Sequence, residues 1–524
     1  MLEIRVIERN GHIPALDKNK AFLRADNWND YSFVTMFYLI VFDEHGKRVE
    51  VGNVKIGFLG QKEEITTYSR IDKIFNKLPE VFFSLGDGID YYINIGKLSD
   101  KFKYKLLNAL QDLVVQPNRL SDIENESVLN SSLLRSVTLS EIHGQFLRVL
   151  NGLPELSDFH FLFNRKNASG FSDLTIPFIV KVDSMPSTNI HALIGRNGCG
   201  KTSILNGMID AITNPESNEY FFCENKKFSE SRIPKGYFRS LISVSFSAFD
   251  PFTPPKEQPD PAKGTQYFYI GLKDAVSNGL KSLDDLRLEF VLAFIGCMRA
   301  DRKRQLWVSA IKKLSSDENF SNMELIGLIS KYEELRRKQS QIQVDNNQFA
   351  DLLYKSIENY LLRMSSGHAI VLFTITRLVD TVGEKSLVLF DEPEVHLHPP
   401  LLSAFLRTLS DLLDARNGVA IIATHSPVVL QEVPKSCVWK VLRSRKAMNI
   451  IRPDIETFGE NLGVLTREVF LLEVTNSGYH HLLSQSVNLG LSYNTIIENY
   501  KGQIGLEGRT VLKAMIMNRD EGQR

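Results

Sequence analysis

Ala192-Leu-Ile-Gly-Arg-Asn-Gly-Cys-Gly-Lys-Thr-Ser-Ile-Leu205 carries more structural information than any other stretch of the chain. Its apolar opening, Ala192 to Ile194, reads as a buried strand. The strand runs into Gly195 to Thr202, which satisfies GxxxxGK[ST] at every position. Glycines there let the backbone curl until successive N–H groups converge on phosphate oxygens. Asn197, Gly198, Cys199, Gly200 and Ser203 complete the expected cradle, Lys201 adds positive charge at the β- and γ-phosphates, and the Thr202 hydroxyl is a ligand for Mg²⁺. Ser203, Ile204, Leu205, Met208, Ile209 and Ile212 continue at helical spacing, so the phosphates sit at a helix N-terminus. A glycine-rich turn without a ligand is the plain alternative. Lys-Thr directly after the last glycine, between a strand and a helix, speaks against it. The expected ligand is a nucleoside triphosphate with Mg²⁺.

A chain of 524 residues predicts two to four domains and ample core. Apolar residues make up 43% and charged residues 24%, as in ordinary globular proteins. Lys+Arg and Asp+Glu both total 62, so contact with nucleic acid must come from a local patch. Cys199, Cys223, Cys297 and Cys437 are scattered without a CxxC pair, which suggests neither a zinc site nor a disulfide framework and suits a reducing cytoplasm. Met1-Leu-Glu-Ile-Arg-Val lacks the layout of a signal peptide. The longest apolar run, Phe33 to Phe42, is too short to span a bilayer. A cytoplasmic protein without membrane contact is expected.

Before the nucleotide fold, Leu2–Glu8, Tyr31–Phe42, Val49–Phe58, Val81–Leu85 and Asp90–Ile95 read as strands from alternation and from Val, Ile, Phe and Tyr content. Lys101–Val115 reads as an amphipathic helix, Asp26-Asn-Trp-Asn-Asp30 as a polar loop around one Trp, and the acidic Ser121–Ser127 as a linker. Residues 241–252 look like a central strand entering a loop, and the prolines of 253–261 rule out helix or central strand there. Tyr267–Leu272 returns as a strand. A mostly helical stretch from about 281 to 364 carries Arg299, Arg302, Lys303, Arg304, Lys312 and Lys313, with Arg336, Arg337 and Lys338 further on. A solvated helical face is the plainer reading of these cations, nucleic-acid contact through Arg299, Arg302, Lys303 and Arg304 the sharper one. Glu468–Leu483 looks helical, and its neighbours His480 and His481 point in different directions, which disfavours a metal site.

Two apolar runs close the fold: Leu387–Phe390, ending in Asp391-Glu392-Pro393, and Val419–Ala423, ending in Thr424-His425-Ser426-Pro427. Between them Leu401, Leu402, Phe405, Leu406, Leu409, Leu412 and Leu413 form a helical apolar stripe. Strands alternating with helices, with polar residues at strand ends, point to an α/β sheet whose ligand lies off those ends. Asp391 is placed to hold Mg²⁺ beside Thr202, and Glu392 suits a general base that polarises the attacking water. His425, at the next strand end, can hydrogen-bond a γ-phosphate, although a buried structural histidine is the alternative. His396 and His398 lack a third ligand nearby, which favours loop packing or a dimer contact.

Met364-Ser-Ser-Gly-His368 lies between the phosphate loop and Asp391 and resembles the signature motif of ABC-type ATPases, usually Leu-Ser-Gly-Gly-Gln. Ser365 matches the Ser, Ser366 and Gly367 the glycines, and His368 the Gln. The resemblance implies an ABC-type P-loop ATPase sheet in which the signature binds the γ-phosphate held by an opposite subunit. Two departures stand out: His368 itself, and the absence of an identifiable Gln in Ser245-Phe-Ser-Ala-Phe-Asp250. Asp391-Glu-Pro-Glu-Val-His-Leu-His-Pro is similar to the SMC-like, RecF-like and OLD-like branch rather than to transporter motors. Only 164 residues, without sustained heptads, separate Lys201 from Ser365, which excludes long coiled-coil arms.

The chain further resembles the PtuA-type ATPases of Septu anti-phage systems, including the retron-associated form. The resemblance rests on Phe246-Ser-Ala-Phe-Asp-Pro251, the compact insert, the β-rich N-terminal layer and Ser477-Gly-Tyr-His480. It implies a homodimer or higher oligomer, a separate HNH-type nuclease partner, and in the retron form a reverse transcriptase–DNA complex. The alternative is a RecF-like DNA-repair ATPase acting on ends or gaps. The expected organisation is a β-rich layer at 1–125, a P-loop half at 131–280, a helical insert at 281–364, a signature, Walker B and switch-histidine half at 365–450, and a helical partner-binding region at 451–524.

Overall fold

The computed structural model describes residues 2–26, 32–135, 137, 139, 142–166, 172–226, 229–248, 252–275, 277, 279–339, 346–444, 447–476 and 478–522. Most of the Trp28 loop, part of the loop after Ser245, and Ser477 lie outside these residues. The chain divides into two compact units, Met1–Ser157 and Asp158–Arg524.

The first unit is built on a six-stranded sheet in the order β5-β1-β2-β3-β4-β6. Its strands are β1 (Glu3–Ile7), β2 (Lys20–Ala25), β3 (Met36–Phe42), β4 (Arg48–Phe58), β5 (Ile74–Phe75) and β6 (Phe82–Gly86). Strand β3 is buried almost throughout because Phe37, Leu39 and Val41 join one core while Ile40 and Phe42 join another on the opposite face, which explains its unbroken apolar sequence. Strand β2 was not anticipated. Asp90–Ile95, expected as a strand, lies in helix α1 (Ile89–Gly96). Tyr91, Tyr92 and Ile95 all turn inward from it. The hydroxyl of Tyr92 accepts from Gly86 N–H and donates to Asp112, contacts a strand at that edge would not make. Helix α2 (Asp100–Ala109) is shorter than the expected Lys101–Val115. The acidic stretch expected as a linker holds a helical turn, Leu120–Ile123, whose two end residues join the core together with Val128, Leu129 and Leu150. Acidic composition there reflects a solvated outer face.

The second unit contains a seven-stranded sheet in the order β13-β12-β14-β15-β9-β16-β17 and a four-stranded antiparallel sheet in the order β11-β10-β7-β8. The smaller sheet comprises β7 (Phe159–Arg165), β8 (Leu174–Val180), β10 (Tyr220–Lys226) and β11 (Ser229–Arg232). The larger comprises β9 (Ile190–Ile194), β12 (Ser240–Ser245), β13 (Gln266–Gly271), β14 (Ser386–Asp391), β15 (Val419–Thr424), β16 (Val438–Ser444) and β17 (Ala447–Ile451), parallel except for the last pair. Strand β9 is buried at every residue, as expected for a central parallel strand covered on both faces. Burial, with Arg452 nearby, pushes its His191 down to about 3, so that imidazole is neutral.

Between β13 and β14 lies the helical insert: α4 (Leu283–Arg299), α5 (Asp301–Leu314), α6 (Gly327–Gln339) and α7 (Asn346–Leu361), preceded in the chain by α3 (Lys201–Thr213) after β9. A capping box of Ser282 and Asp285 fixes the start of α4. The insert packs on α8 (Ser366–Thr381), where Phe290 stacks on Phe373 at 4.9 Å and Trp307 Nε1 donates to Thr376 Oγ1 at 2.9 Å. Helix α9 (Pro399–Asp414) buries its leucine stripe as expected. The second unit is thus an α/β fold built on a mostly parallel sheet with a helical insert, and the chain also carries a β-rich N-terminal unit. Among the described residues no helix is long and apolar enough to cross a membrane.

The C-terminal region is α10 (Leu462–Asn476), α11 (Gly478–Asn488), α12 (Tyr493–Asn499) and α13 (Leu506–Gly522). One helix was expected over 468–483, but Gly478 at φ +59° breaks it in two. His480 is buried and His481 exposed, in agreement with divergent directions. Leu483 belongs to a small core with Val487, Ile496 and Leu512, whereas Leu482 is exposed.

Candidate nucleotide site

Strand β9 delivers the phosphate loop to the C-terminal edge of the large sheet. Gly198 (φ +75°) and Gly200 (φ +99°) adopt left-handed conformations, and Gly200 caps α3. A Cβ on Gly195 would stand 2.5 Å from Val441 O, so only glycine fits there. Lys201 Nζ donates to Gly195 O and Arg196 O at 3.0 and 3.1 Å, which holds its ammonium in the mouth of the loop. Cys199 is buried and Asn197 exposed. Ser203, expected in the cradle, is half-buried in the first turn of α3. A cavity of about 610 Å³ adjoins the loop, lined by Arg196, Asn197, Lys440, Arg443 and Glu468 among others.

Asp391 ends β14, in register with Ser245 of β12 and Ala423 of β15. Its Oδ2 accepts from Thr202 Oγ1 at 2.9 Å across 189 residues of sequence. Two hard oxygen donors held side by side at the phosphate loop fit a Mg²⁺ ion, which Thr202 and Asp391 would hold. Glu392 follows with φ +50°, and its N–H donates to Ala423 O at 2.8 Å. A non-glycine residue in that region is uncommon and clusters at functional sites.

Glu394 was not anticipated. Its Oε1 accepts from Thr424 Oγ1 at 2.7 Å and from His425 N–H at 2.8 Å, fixing the end of β15. His425 Nδ1 lies 3.1 Å from Glu394 Oε1 and 3.6 Å from Glu392 Oε1, close enough for charge interaction but out of hydrogen-bonding alignment. Glu394 therefore fixes the backbone at His425, beside the residue expected to act as base. A lone Glu two positions past an acidic pair follows no spacing rule that would have revealed it.

The signature residues open α8. Ser365 and Ser366 are exposed, while Gly367 and His368 are buried. Ser365 Oγ accepts from His368 N–H, a helix cap. A Cβ on Gly367 would stand 2.3 Å from His396 O, so the loop after Asp391 packs directly on the signature. His398 Nε2 lies 3.0 Å from Asp317 Oδ2, which ties it within the chain. Among the described residues no group of three or more His, Cys, Asp and Glu is arranged to hold a metal ion.

The expected basic cluster does not stay together. Arg302 donates to Ala415 O, Lys303 to Asp380, and Lys313 pairs with Asp411, all structural contacts. Arg299 and Arg304 instead line a cavity of about 520 Å³ with Arg336, Arg337, Tyr332 and Glu333.

Over 523 residues, covering 100% of each chain to the nearest per cent, the sequence is 83% identical to Protein ea59 of Escherichia phage lambda. The chain belongs to the ea59 family. Residues 325–431 of this ea59-family chain, from the insert through the signature and Asp391 to the helix after His425, match the family described as "AAA domain, putative AbiEii toxin, Type IV TA system". Similar solved structures include MJ1267, an ATP-binding cassette of an ABC transporter in its ADP conformation, at 13% identity and a TM-score of 0.28, covering 57% of this chain and 92% of that one. Another is cbiO1 from Clostridium perfringens, part of the transporter complex cbiONQ, at 12% identity and a TM-score of 0.29, covering 56% and 88%. Likenesses this weak carry no further argument. The ea59-family chain contains an α/β domain with a phosphate loop, part of which matches an AAA-domain family.

Proposed function

We propose that the protein binds and hydrolyses ATP between two copies of itself and uses that cycle to regulate a separate nuclease of HNH type in anti-phage defence, as in the Septu systems it resembles. The observation that carries the ATPase reading is the 2.9 Å Thr202–Asp391 contact at the mouth of the phosphate loop, with Glu392 and His425 beside it. Bound Mg²⁺ would neutralise phosphate charge as it moves to the leaving group. Lys201 binds the phosphates, Glu392 accepts the proton of the attacking water, and Glu394 holds His425 toward the γ-phosphate. The cavity beside Arg196 and Asn197 takes the nucleoside. Ser365 and Ser366, exposed at the start of α8, supply the phosphate contacts of the opposite subunit.

The defence setting rests on the Septu resemblance alone; the name of the phage relative carries no defence or nuclease role. No comparison favours the RecF-like alternative. Nucleic acid, free or within a retron complex, would meet the four arginines around the insert's cavity, where planar guanidinium forks suit phosphodiester oxygens. The nuclease would dock on the C-terminal helices, where Leu482 and Leu489 are exposed.

The test is biochemical. Pure protein should hydrolyse ATP, bind a labelled oligonucleotide less tightly once Arg336 and Arg337 become Glu, and leave DNA intact with Mg²⁺ or Mn²⁺. Lys201→Ala should lose binding of a fluorescent ATP analogue. Near wild-type affinity in that variant would sink the ATP site. DNA cleavage by the pure chain, undiminished in Lys201→Ala, would replace the regulator with a nuclease.

A further inference from the structure

Four polar side chains from three parts of the second unit meet at the start of α8. Ser365 Oγ lies 2.5 Å from His368 Nδ1, and His368 Nε2 lies 3.3 Å from Asp317 Oδ1. The other oxygen of Asp317 lies 3.0 Å from His398 Nε2. Asp317 sits in the insert, where it also caps the turn Glu318–Ser321 by accepting from Phe320 N–H at 2.9 Å. Its side chain is 8% exposed. Burial alone would raise this carboxyl, but hydrogen bonds from Phe320 N–H, His368 and His398 hold it below the usual range. It is therefore an ionised acceptor.

A carboxylate can only accept, so His368 must carry hydrogen on Nε2. That leaves Nδ1 with two states. In neutral His368, Nδ1 is an acceptor and takes the Ser365 hydroxyl hydrogen. Only oxygen lone pairs then face outward. In protonated His368, Nδ1–H donates to Ser365 Oγ, and the hydroxyl hydrogen is released toward solvent. A phosphate oxygen is also only an acceptor at neutral pH, so it needs the second arrangement.

We propose that Asp317 and His368 are positioning residues that turn the Ser365 hydroxyl hydrogen toward a terminal phosphate held by a second copy of the chain, so that ATP-driven pairing takes up a proton on His368. The inference rests on the reading of Ser365 as the opposite subunit's phosphate contact. The groups that face His368 are Asp317 and the Phe320 ring from the insert, His398 from the segment leading into α9, and Ser365 from its own helix. Of these only Asp317 carries fixed charge. A carboxylate on one imidazole nitrogen and a serine hydroxyl on the other thus make the insert part of the phosphate site.

The experiment follows ATP-driven dimerisation by sedimentation in a Glu392→Gln background, which prevents turnover, over about pH 5 to 9, a range that includes the charge change of an ordinary imidazole. In the protein that retains His368 the association constant should fall on the alkaline side by roughly tenfold per pH unit for each linked proton. His368→Gln keeps a donor toward Ser365 at every pH. It should still dimerise, with less than about a twofold change across the same range, the residue being uncharged. Asp317→Asn should move the fall to lower pH while leaving ATP-analogue binding to the monomer unchanged. Superimposable pH profiles with and without the His368→Gln substitution would overturn the proposal. Should Asp317→Asn fail to fold, calorimetry of pairing in two buffers of different ionisation enthalpy decides the matter: no proton uptake at any pH overturns it. The broader reading fails separately, if Ser365→Arg pairs and hydrolyses like the parent protein.

Discussion

Glu392 occupies a backbone conformation that costs on the order of 1 kcal/mol for a side-chain-bearing residue, φ +50°. That turn at the end of β14 sets its carboxylate beside His425, 3.6 Å away, just after Asp391, the proposed Mg²⁺ ligand. Glu392→Gln should bind the ATP analogue normally and lose turnover by about 10²- to 10⁴-fold, the usual contribution of a general base. Glu392→Gly separates chemistry from strain. It should lose turnover equally yet unfold within about 1 kcal/mol of the parent, because glycine accepts the positive φ. Single-turnover phosphate release and thermal melting distinguish the two effects, and turnover retained in either variant places the base elsewhere. Lys201, Thr202 and Asp391 were legible because each is fixed by local spacing around a strand end. Glu394 and Asp317 were not, because they work across 31 and 51 residues of sequence, where no periodicity points.

At the scale of elements, parallel strands were the easiest to read: β14 and β15 are buried on both faces, so each shows as an apolar run ended by polar chemistry. Helix α1 was misread because Tyr and Ile favour strands locally, while its burial against Gly86 and Asp112 is a tertiary fact. Asp112 gives that contact a pH signature. Burial raises its carboxyl from 3.8 to about 7, against hydrogen bonds from Val114 N–H and the Tyr92 hydroxyl. The native state keeps a proton that the unfolded chain releases, so this contribution is complete below 3.8 and is lost as pH rises through about 7. Stability should fall across that window by at most about 1.4 kcal/mol per pH unit, and Asp112→Asn should remove the fall and melt higher at pH 8. Thermal melts of both proteins at pH 5 and pH 8 check it. The close crossing at the signature gives another expectation. Ala normally stabilises a helix over Gly by about 1 kcal/mol, but at Gly367 the new Cβ would stand 2.3 Å from His396 O. Gly367→Ala should therefore lower the melting temperature and hydrolysis together; a more stable, active variant would show that the loop yields.

For the whole molecule, the question is whether one chain's phosphate loop meets another chain's signature. Equal numbers of basic and acidic residues, 62 each, leave no net charge to oppose self-association. Lys201→Ala disables the loop of its own subunit, and Ser365→Arg places a bulky cation where the partner's γ-phosphate should dock. Each pure variant should be inactive, since every site in its homodimer carries the defect. Mixed in equal amounts, half of the dimers are heterodimers. In each of these the intact loop of the Ser365→Arg chain faces the intact signature of the Lys201→Ala chain. Independent sites should then restore roughly a quarter of the wild-type rate, as expected for random pairing in a two-fold assembly. Steady-state phosphate release across a titration of one variant into the other checks this, with a maximum expected near equal amounts. A mixture as inactive as its parts would mean that Lys201 and Ser365 serve the same nucleotide within one chain. The sandwich dimer, and the proton-linked Ser365 contact built on it, would then fall together.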